Sequence, residues 1–282
     1  MKWTGERLVT DMSLGSGVVD HLHRYALTLN FIKNKIVIDI ACGEGYGSNL
    51  MSKYALKVTG VDISEEAVLH AAKKYKRNNL DFITGAADKI PLDDHSVDVV
   101  VSFETLEHHD KHKEMMIEVK RVLKKDGVFI ISTPEKENYQ KLDPNNIFHV
   151  KELSLHEFEE LISENFQFLK VLHQKFINAS VVYSKEGNLS YYDFFEGDFE
   201  SVNNKSLANS HVYNIIIASD SVISQVSINQ VSLFDASVVQ NINLQAQLVT
   251  AVQKGLEIAK QSNSYKIGSL ILLPIKILKK LF

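Results

Sequence analysis

Histidines and carboxylates stand where the chain is predicted to leave its strands, and such side chains can move a proton. Glu107 and His108 lie in the run FETLEHH, and His149 lies in the run NNIFHVKEL. An imidazole changes charge near neutral pH, so it can take a proton from a hydroxyl group. We therefore predict that His108, His149 and Glu107 are catalytic. The alternatives are a His108 that is satisfied by backbone groups at a helix start and a His149 that packs within its loop.

The spacing E-x-x-E-H, formed by Glu104, Glu107 and His108, also permits a metal site. Two carboxylates and an imidazole can bind Mg²⁺ or Mn²⁺ and lower the pKa of a coordinated hydroxyl. In the simpler interpretation, which we prefer, Glu104 packs near a bound ligand and Glu107 caps the next helix. We therefore predict no metal, and Glu104, Glu107 and His108 are the alternative set of ligands for Mg²⁺.

The run VIDIACGEGYG predicts a loop whose backbone approaches a ligand. Gly43, Gly45 and Gly47 alternate with other residues, unlike the G-x-G-x-x-G spacing of dinucleotide-binding loops. Asp39 lies in the preceding strand, where its charge would repel a pyrophosphate. Asp62 closes the next strand, where an acid can accept hydrogen bonds from two ribose hydroxyls. The pattern favours a ribose-containing ligand that carries positive charge.

Arg24 lies in a predicted helix before the first strand. A guanidinium at this place can bind a ligand carboxylate through two parallel hydrogen bonds. The alternative is a solvated helix face.

The elements that must position these residues alternate in type between Lys35 and Pro134. Strand-length apolar runs are separated by stretches with a helical spacing of apolar residues, and Ser64 is typical of a helix start. The alternation predicts an α/β fold with a mostly parallel sheet, in which ligands bind beyond the carboxyl ends of the strands. The strand runs are KIVIDIA, KVTGVDI, LDFIT, SVDVVVSF and GVFIISTP, and the helical stretches are YGSNLMSKYA, SEEAVLHAAKKYKRN and DKHKEMMIEVKRVLKKD.

Beyond Pro134 we predict a helix over KELSLHEFEELISENF and two closing strands over FLKVLHQKF and HVYNIIIAS, with residues 184–210 as an insertion. From Ser237 onward an alternating four-three spacing of apolar residues predicts a short coiled-coil seam or a helix packed on the core. We therefore predict a ligand-binding domain over residues 1–220 and a helical extension over residues 221–282, which ends in a basic amphipathic tail.

Composition narrows the class of protein. The 282 residues carry a formal charge of -4, which gives no case for a nucleic-acid partner, and their 45% hydrophobic content is sufficient for a core. Cys42 is the only cysteine, and the first residues lack the apolar core of a signal peptide. We predict a cytoplasmic protein.

The motifs VIDIACGEGYG, VTGVDIS, IPLDDHSVDVVVSFETLEH and VLKKDGVFIISTP resemble, in order, those of class I S-adenosylmethionine-dependent methyltransferases of the type 11 kind. The resemblance implies a Rossmann-like fold with a seven-stranded sheet. It also implies S-adenosylmethionine as cofactor and S-adenosylhomocysteine as product. The sequence then reads as that of an enzyme that transfers a methyl group.

The resemblance assigns the cofactor-binding residues one by one. It places Asp39 and the three loop glycines at the amino-acid end, Asp62 at the ribose, and Ile63 against the adenine. Many relatives have Gly-Asp where this chain has Gly85-Ala86, so recognition of the adenine amino group falls to Asp88 or to backbone atoms. The predicted cofactor-binding set is Arg24, Asp39, Gly43, Gly45, Gly47, Asp62, Ile63, Ala86, Ala87, Asp88, Ser102 and Phe103.

A narrower resemblance comes from TGERLV, HLHRYALT, FETLEHH and the tail SYKIGSLILLPIKILKK. These runs resemble methyltransferases of bacterial surface-polysaccharide (O-antigen) biosynthesis, which implies a saccharide or lipid-linked glycan acceptor. The alternatives are methylation of a quinone precursor or other small molecule, and a non-catalytic scaffold for a glycosyltransferase. The C-terminal helix could support self-association or bind a glycosyltransferase, and the basic tail could contact the inner face of the membrane.

Overall fold

The computed structural model describes residues 16–178, 195–197, 201–204, 211–222 and 232–261. Within these ranges the strands are β1 (Ile36–Ile40), β2 (Lys57–Asp62), β3 (Leu80–Thr84), β4 (Val97–Phe103), β5 (Leu123–Pro134), β6 (Phe168–Gln174), β7 (Phe195–Gly197), β8 (Val202–Asn204) and β9 (Tyr213–Ser219). The α-helices are α1 (Ser16–Ile32), α2 (Tyr46–Met51), α3 (Glu65–Lys74), α4 (His112–Val122), α5 (Lys136–Leu142), α6 (Leu155–Ser163) and α7 (Ser237–Gln261). A 3-10 turn covers Leu106–His108.

Seven strands form one sheet in the order β3-β2-β1-β4-β5-β9-β6. The first five in that order run parallel, and β9 lies antiparallel between β5 and β6. The predicted α/β fold with a mostly parallel seven-stranded sheet is therefore confirmed. The chain reverses its direction of winding between β1 and β4, which is where open sheets of this type bind ligands.

Each face of the sheet carries its own apolar core. One core packs α1 and α2 against residues such as Val99, Val101 and Ile130, and the other packs α4 and α6 against Val100 and Phe129. Successive strand residues point to opposite faces, so the continuous apolar runs of β4 and β5 supply both cores. The same alternation determines which polar side chains lie on each face at the carboxyl ends of the strands.

Several predicted helical stretches extend beyond the observed helices, the fifth strand begins earlier than predicted, and one helix was missed. The helical stretch DKHKEMMIEVKRVLKKD ends as helix at Val122, and Leu123 begins β5 by pairing with Val97. An ion pair of 3.0 Å between Lys124 and Asp98 joins β5 to β4, so tertiary contacts override helix propensity there. Helix α5 buries none of its residues, which explains why it left no apolar periodicity to find.

The chain divides into two compact units, Met1–Phe234 and Asp235–Phe282, whereas the sequence places the division after residue 220. Helix α7 begins at Ser237, as predicted. In the predicted insertion, β7 and β8 form a two-stranded sheet. The other parts of the insertion lie outside the described residues, as does the basic tail: these parts are residues 184–194, 198–200 and 205–210. No described helix is both long enough and apolar enough to cross a membrane. Association through α7 stays a prediction.

Candidate active site

The glycine loop between β1 and α2 is shaped by the side chains packed under it. Gly43 and Gly45 have φ angles of 55° and 84°, in the left-handed region that favours glycine. A Cβ atom at Gly45 would lie 2.6 Å from the Phe82 ring, and one at Gly47 would lie 1.9 Å from the Tyr25 ring. Any larger residue at Gly45 or Gly47 would clash with these rings, so the loop conformation requires glycine there. Contact of the loop glycines with a cofactor stays a prediction.

Asp62 ties the glycine loop to helix α3. Its Oδ2 accepts a hydrogen bond of 2.8 Å from the Gly43 backbone N–H, and its Oδ1 accepts one of 2.9 Å from the Ser64 N–H. Ser64 is the N-cap of α3, as predicted. The carboxylate therefore fixes two backbone segments at the tip of β2. Next to it, the Ile63 side chain is 76% exposed, which leaves an apolar surface open beside a predicted ribose site.

Asp39 is buried beneath the loop. Its carboxylate accepts a hydrogen bond of 2.6 Å from the Ser48 hydroxyl and longer ones from the Tyr25 hydroxyl. Burial raises the pKa of Asp39 from 3.8 to about 7, although the two hydroxyls act in the opposite direction. Asp62 lies close enough to raise it further. Two acids at neighbouring strand tips suit a ligand that carries positive charge.

We expect Asp39→Asn to flatten the pH dependence of stability. Because the folded pKa of about 7 lies above the unfolded value, this carboxyl stabilises the fold fully below about pH 4, and that contribution is lost as pH rises through 7. The amide cannot ionise, so the variant should gain stability relative to wild type at pH 8.5 but not at pH 4. Urea unfolding of the cofactor-free protein at both pH values measures this. Asp81→Asn, at a carboxylate whose side chain is 60% exposed, is the control. Equal pH dependence in wild type and Asp39→Asn would contradict the prediction.

Arg24 is fully buried and only partly paired. Its Nη1 donates a hydrogen bond of 3.1 Å to Glu104, and its guanidinium lies 4.5 Å from the centre of the Tyr213 ring. The Nε and Nη2 groups have no hydrogen-bond partner among the described residues. These two donors form one edge of the guanidinium, the edge that binds a carboxylate in bidentate fashion. The alternative of a solvated helix face is therefore wrong, and a buried guanidinium edge without a partner among the described residues favours a ligand.

Glu104 and Glu107 turn to opposite faces of the sheet. Glu104 accepts a hydrogen bond of 2.6 Å from Ser132, and Glu107 accepts one of 3.3 Å from Thr133, the next residue of β5. Successive strand side chains point to opposite faces, so the two carboxylates have different hydrogen-bond partners, although Glu104 lies close enough to raise the pKa of Glu107. Glu104 belongs with Arg24, and Glu107 belongs with the histidines. The E-x-x-E-H spacing therefore does not describe one cluster.

Glu107 is a buried carboxyl and does not cap the following helix, which corrects the simpler interpretation. The N-cap residue of helix α4, Lys111, makes no side-chain cap hydrogen bond. The Glu107 carbonyl accepts hydrogen bonds of 2.7 Å from Val150 and 3.2 Å from Lys151, which ties the turn after β4 to the loop before α6. Burial, with the nearby charge of Glu104, raises the pKa of Glu107 well above its ordinary value.

This tie brings the two predicted catalytic histidines together. The rings of His108 and His149 meet edge to face, with centres 5.3 Å apart. One ligand-type atom from each of Glu107, His108 and His149 lies within 4.8 Å of the others, a spacing that would also admit a divalent ion. His108 Nδ1 lies 3.1 Å from the Phe148 carbonyl, which can only accept, so Nδ1 donates and Nε2 keeps the lone pair.

Glu152 is a site residue that the sequence reasoning missed. Its Oε1 lies 2.7 Å from His149 Nδ1, and both side chains are more than nine-tenths buried. The His149 ring also stacks on Tyr139, with centres 5.0 Å apart. A carboxylate behind Nδ1 fixes the tautomer and stabilises the imidazolium that forms when Nε2 takes a proton. The only signal in the sequence is the spacing His-x-x-Glu.

The remaining predicted cofactor residues lie at the same edge or beside it. Ser102 and Phe103 end β4, and both are buried. Ala86 and Ala87 lie beyond β3, where Ala86 forms an isolated bridge with Lys89. Asp88 forms an ion pair of 2.6 Å with Lys111, so contact with an adenine amino group would have to compete with this lysine.

Strained backbone marks the edge as well. Ala41 and Glu104 follow neighbouring strands β1 and β4, and their φ angles are 57° and 53°. Non-glycine residues in this region cost about 1–3 kcal/mol each and concentrate at functional sites. The carboxyl edge between β1 and β4 therefore combines strained backbone, the unpaired N–H donors of Arg24, and the contact between His108 and His149.

Comparison with known proteins shows which family this part of the chain resembles. Residues 38–131, from β1 into β5, match a family described as a methyltransferase domain. This segment resembles the domain of class I S-adenosylmethionine-dependent methyltransferases. A probable S-adenosylmethionine-dependent methyltransferase of Mycolicibacterium smegmatis is 39% identical over 128 residues, which is 45% of this chain and 49% of that protein. The predicted enzyme class and cofactor are thereby confirmed for this domain.

Other relatives extend the comparison. A phthiotriol/phenolphthiotriol dimycocerosates methyltransferase of Mycobacterium tuberculosis is 29% identical over 162 residues, covering 57% of this chain and 53% of that protein. This chain spans about half the length of the curated relatives that it matches. The YcgJ protein of Bacillus subtilis covers 72% of this chain with a TM-score of 0.50 and 22% identity, and all of that chain is matched. That likeness supports the methyltransferase fold.

The side chains of the methyltransferase domain fit S-adenosylmethionine. The unpaired edge of Arg24 suits the carboxylate of the cofactor, the buried acid Asp39 suits a positively charged group, and Asp62 suits the ribose hydroxyls. The exposed Ile63 beside Asp62 suits the apolar face of an adenine. These assignments to single residues stay predictions, although the chemistry of the donors agrees with them.

Proposed function

We propose that the protein transfers a methyl group from S-adenosylmethionine to a hydroxyl oxygen of an alcohol acceptor. The observation that carries this proposal is the His149–Glu152 pair, with a 2.7 Å contact, at the carboxyl edge of the sheet. A hydroxyl is a weak nucleophile, so a positioned base is more useful for transfer to oxygen than for transfer to an uncharged amine.

The residues divide the work between binding and proton removal. When bound, S-adenosylmethionine would supply a methyl group whose bond to sulfur is exchanged for a bond to the acceptor oxygen, with S-adenosylhomocysteine keeping the electron pair on sulfur. Arg24 holds the carboxylate end, and Asp62 holds the ribose. His149 receives the hydroxyl proton on Nε2, and Glu152 stabilises the resulting charge. Because the displacement is in line, much of the remaining rate comes from positioning.

The acceptor is better sought among small molecules and lipids than among polysaccharides. The two mycobacterial relatives described above carry no polysaccharide in their names, and one is named for dimycocerosates, which are lipids. The names of these relatives support the small-molecule acceptor, which the E-x-x-E-H spacing suggested. They do not support the saccharide acceptor, which the flanking motifs suggested. We therefore propose a small-molecule or lipid alcohol.

The test is a methyl-transfer assay with a panel of acceptors: long-chain alcohols, phenols and quinols, free sugars and lipid-linked glycans. We expect S-adenosylhomocysteine and an O-methylated product with the alcohols or phenols, identified by mass spectrometry. We also expect full activity in the presence of a chelator. Transfer to sugars alone would contradict the proposed acceptor class, and activity that is lost with chelator and restored by Mg²⁺ would replace the histidine base with a metal at Glu107, His108 and His149.

A further inference from the structure

The loop that carries His149 exposes apolar side chains and buries its polar one. Ile147 is 87% exposed and Val150 is 63% exposed, whereas the His149 side chain between them is only 6% exposed. A loop that packed for stability alone would show the opposite pattern. Leu142, at the end of α5, and Phe148 are also exposed. We name these four residues the 142–150 patch: Leu142, Ile147, Phe148 and Val150.

The patch is held in place by the site itself. The Phe148 carbonyl receives the hydrogen bond of His108, and the Val150 N–H donates to the Glu107 carbonyl at 2.7 Å. Asn146 fixes the other side of the loop, because its side chain contacts the Tyr139 hydroxyl at 3.2 Å and the Phe148 N–H at 3.0 Å. Phe148 and Val150 therefore keep a defined position directly beside the proposed base, and Ile147 lies two residues from it.

We propose that the 142–150 patch binds the apolar chain of the acceptor, so that the substrate is an alcohol with a long hydrocarbon chain. This inference rests on the proposed function, because the chain is anchored where its hydroxyl reaches His149. Hydrogen bonds that join the backbone of the patch to His108 and Glu107 place it next to the proposed base, and exposed apolar groups of this kind mark binding surfaces. Coverage of Ile147 and Phe148 by a hydrocarbon removes their surface from water, which favours binding.

The experiment measures binding, so it does not depend on turnover. Monomeric 1-decanol and 1-butanol are titrated by NMR into wild type with bound S-adenosylhomocysteine, and the ring signals of His149 are followed. We expect 1-decanol to bind and to shift those signals, and 1-butanol to bind at least tenfold more weakly. The double variant Ile147→Ser, Phe148→Ser should lose about tenfold in affinity for 1-decanol.

Leu56→Ser is the matched control, because Leu56 is 62% exposed but precedes β2, at the opposite edge of the sheet. It should bind 1-decanol like wild type, and all variants should keep wild-type affinity for S-adenosylhomocysteine. The proposal is overturned if the double variant binds 1-decanol normally, if Leu56→Ser loses as much, or if 1-decanol does not bind. It is also overturned if the double variant loses sedimentation with phosphatidylglycerol vesicles but keeps its affinity for 1-decanol. Absence of methyl transfer to every alcohol, with this binding intact, would refute the proposed function alone.

Discussion

Replacement of His149 with alanine should lower kcat by about 10²–10⁴-fold while the affinity for S-adenosylhomocysteine stays unchanged. The variant loses the imidazole that accepts the hydroxyl proton, so kcat falls. His149 is not one of the residues predicted to bind the cofactor, so the affinity for S-adenosylhomocysteine is kept. The measurement is kcat with the best acceptor of the panel, together with calorimetric titration of S-adenosylhomocysteine. Glu152→Gln should cause a smaller loss of kcat, because a neutral amide still orients the ring but no longer stabilises the imidazolium.

Two controls separate this role from packing. His156 forms a similar contact with Glu160, at 3.9 Å, but its side chain is 86% exposed, so His156→Ala should turn over normally. His108→Ala tests the neighbouring imidazole, and the double variant of His108 and His149 tests whether either ring can replace the other. Normal turnover in both single variants and in the double variant would show that catalysis here is positioning without a base.

Replacement of Asp62 with alanine should weaken cofactor binding by about 10²-fold or more, because hydrogen bonds to a charged acceptor contribute about 1.5–3 kcal/mol each. The loss has two sources. The ribose hydroxyls would have no carboxylate, and the N–H groups of Gly43 and Ser64 would lose their acceptor, which should also reduce the free energy of unfolding by about 2 kcal/mol. Calorimetry with S-adenosylhomocysteine and urea unfolding measure the two effects.

The conservative change Asp62→Asn separates ligand binding from support of the loop. The amide keeps one acceptor oxygen for a backbone N–H but loses the charge, so stability should fall less than affinity does. Asp81→Ala, on the adjacent strand, should change neither quantity, because Asp81 is exposed. If Asp62→Ala unfolds at lower urea but binds the cofactor with full affinity, the ribose lies elsewhere.

Sequence alone predicts the elements whose signal is local. Strand β3 has the predicted bounds, Leu80–Thr84, because its apolar run is short and bounded by polar residues. Ser64 is predictable as a cap for the same reason, since its hydroxyl acts only three residues along the chain. The glycine loop could be placed as well, although the need for Gly47 comes from Tyr25, which lies on another helix.

The arrangement of the acidic and imidazole groups could not be predicted in this way. Whether Glu104 and Glu107 form one cluster depends on the register of β4 against β5, which puts Ser132 and Thr133 on opposite faces. The partnership of His149 with Glu152 depends on a loop without periodicity, held by the Glu107 carbonyl. Both arrangements are set by long-range contacts, and spacing along the chain carries no information about them.

The order of the strands bears on how proteins of this kind evolve. The matched family segment ends at residue 131, so β6 and β9 lie outside it, and they are joined to the sheet through β5. The residues predicted to hold the cofactor lie mainly on β1, β2, β4 and the loops after them. The loop that carries His149 and Glu152 also lies beyond residue 131, so substitutions on the proposed acceptor side can accumulate while the pairing of β1 with β2 and β4 is kept. Tyr213, in β9, contacts Arg24, which is predicted to bind the cofactor. At contacts of this kind, a substitution outside the matched segment must remain compatible with the cofactor-binding residues.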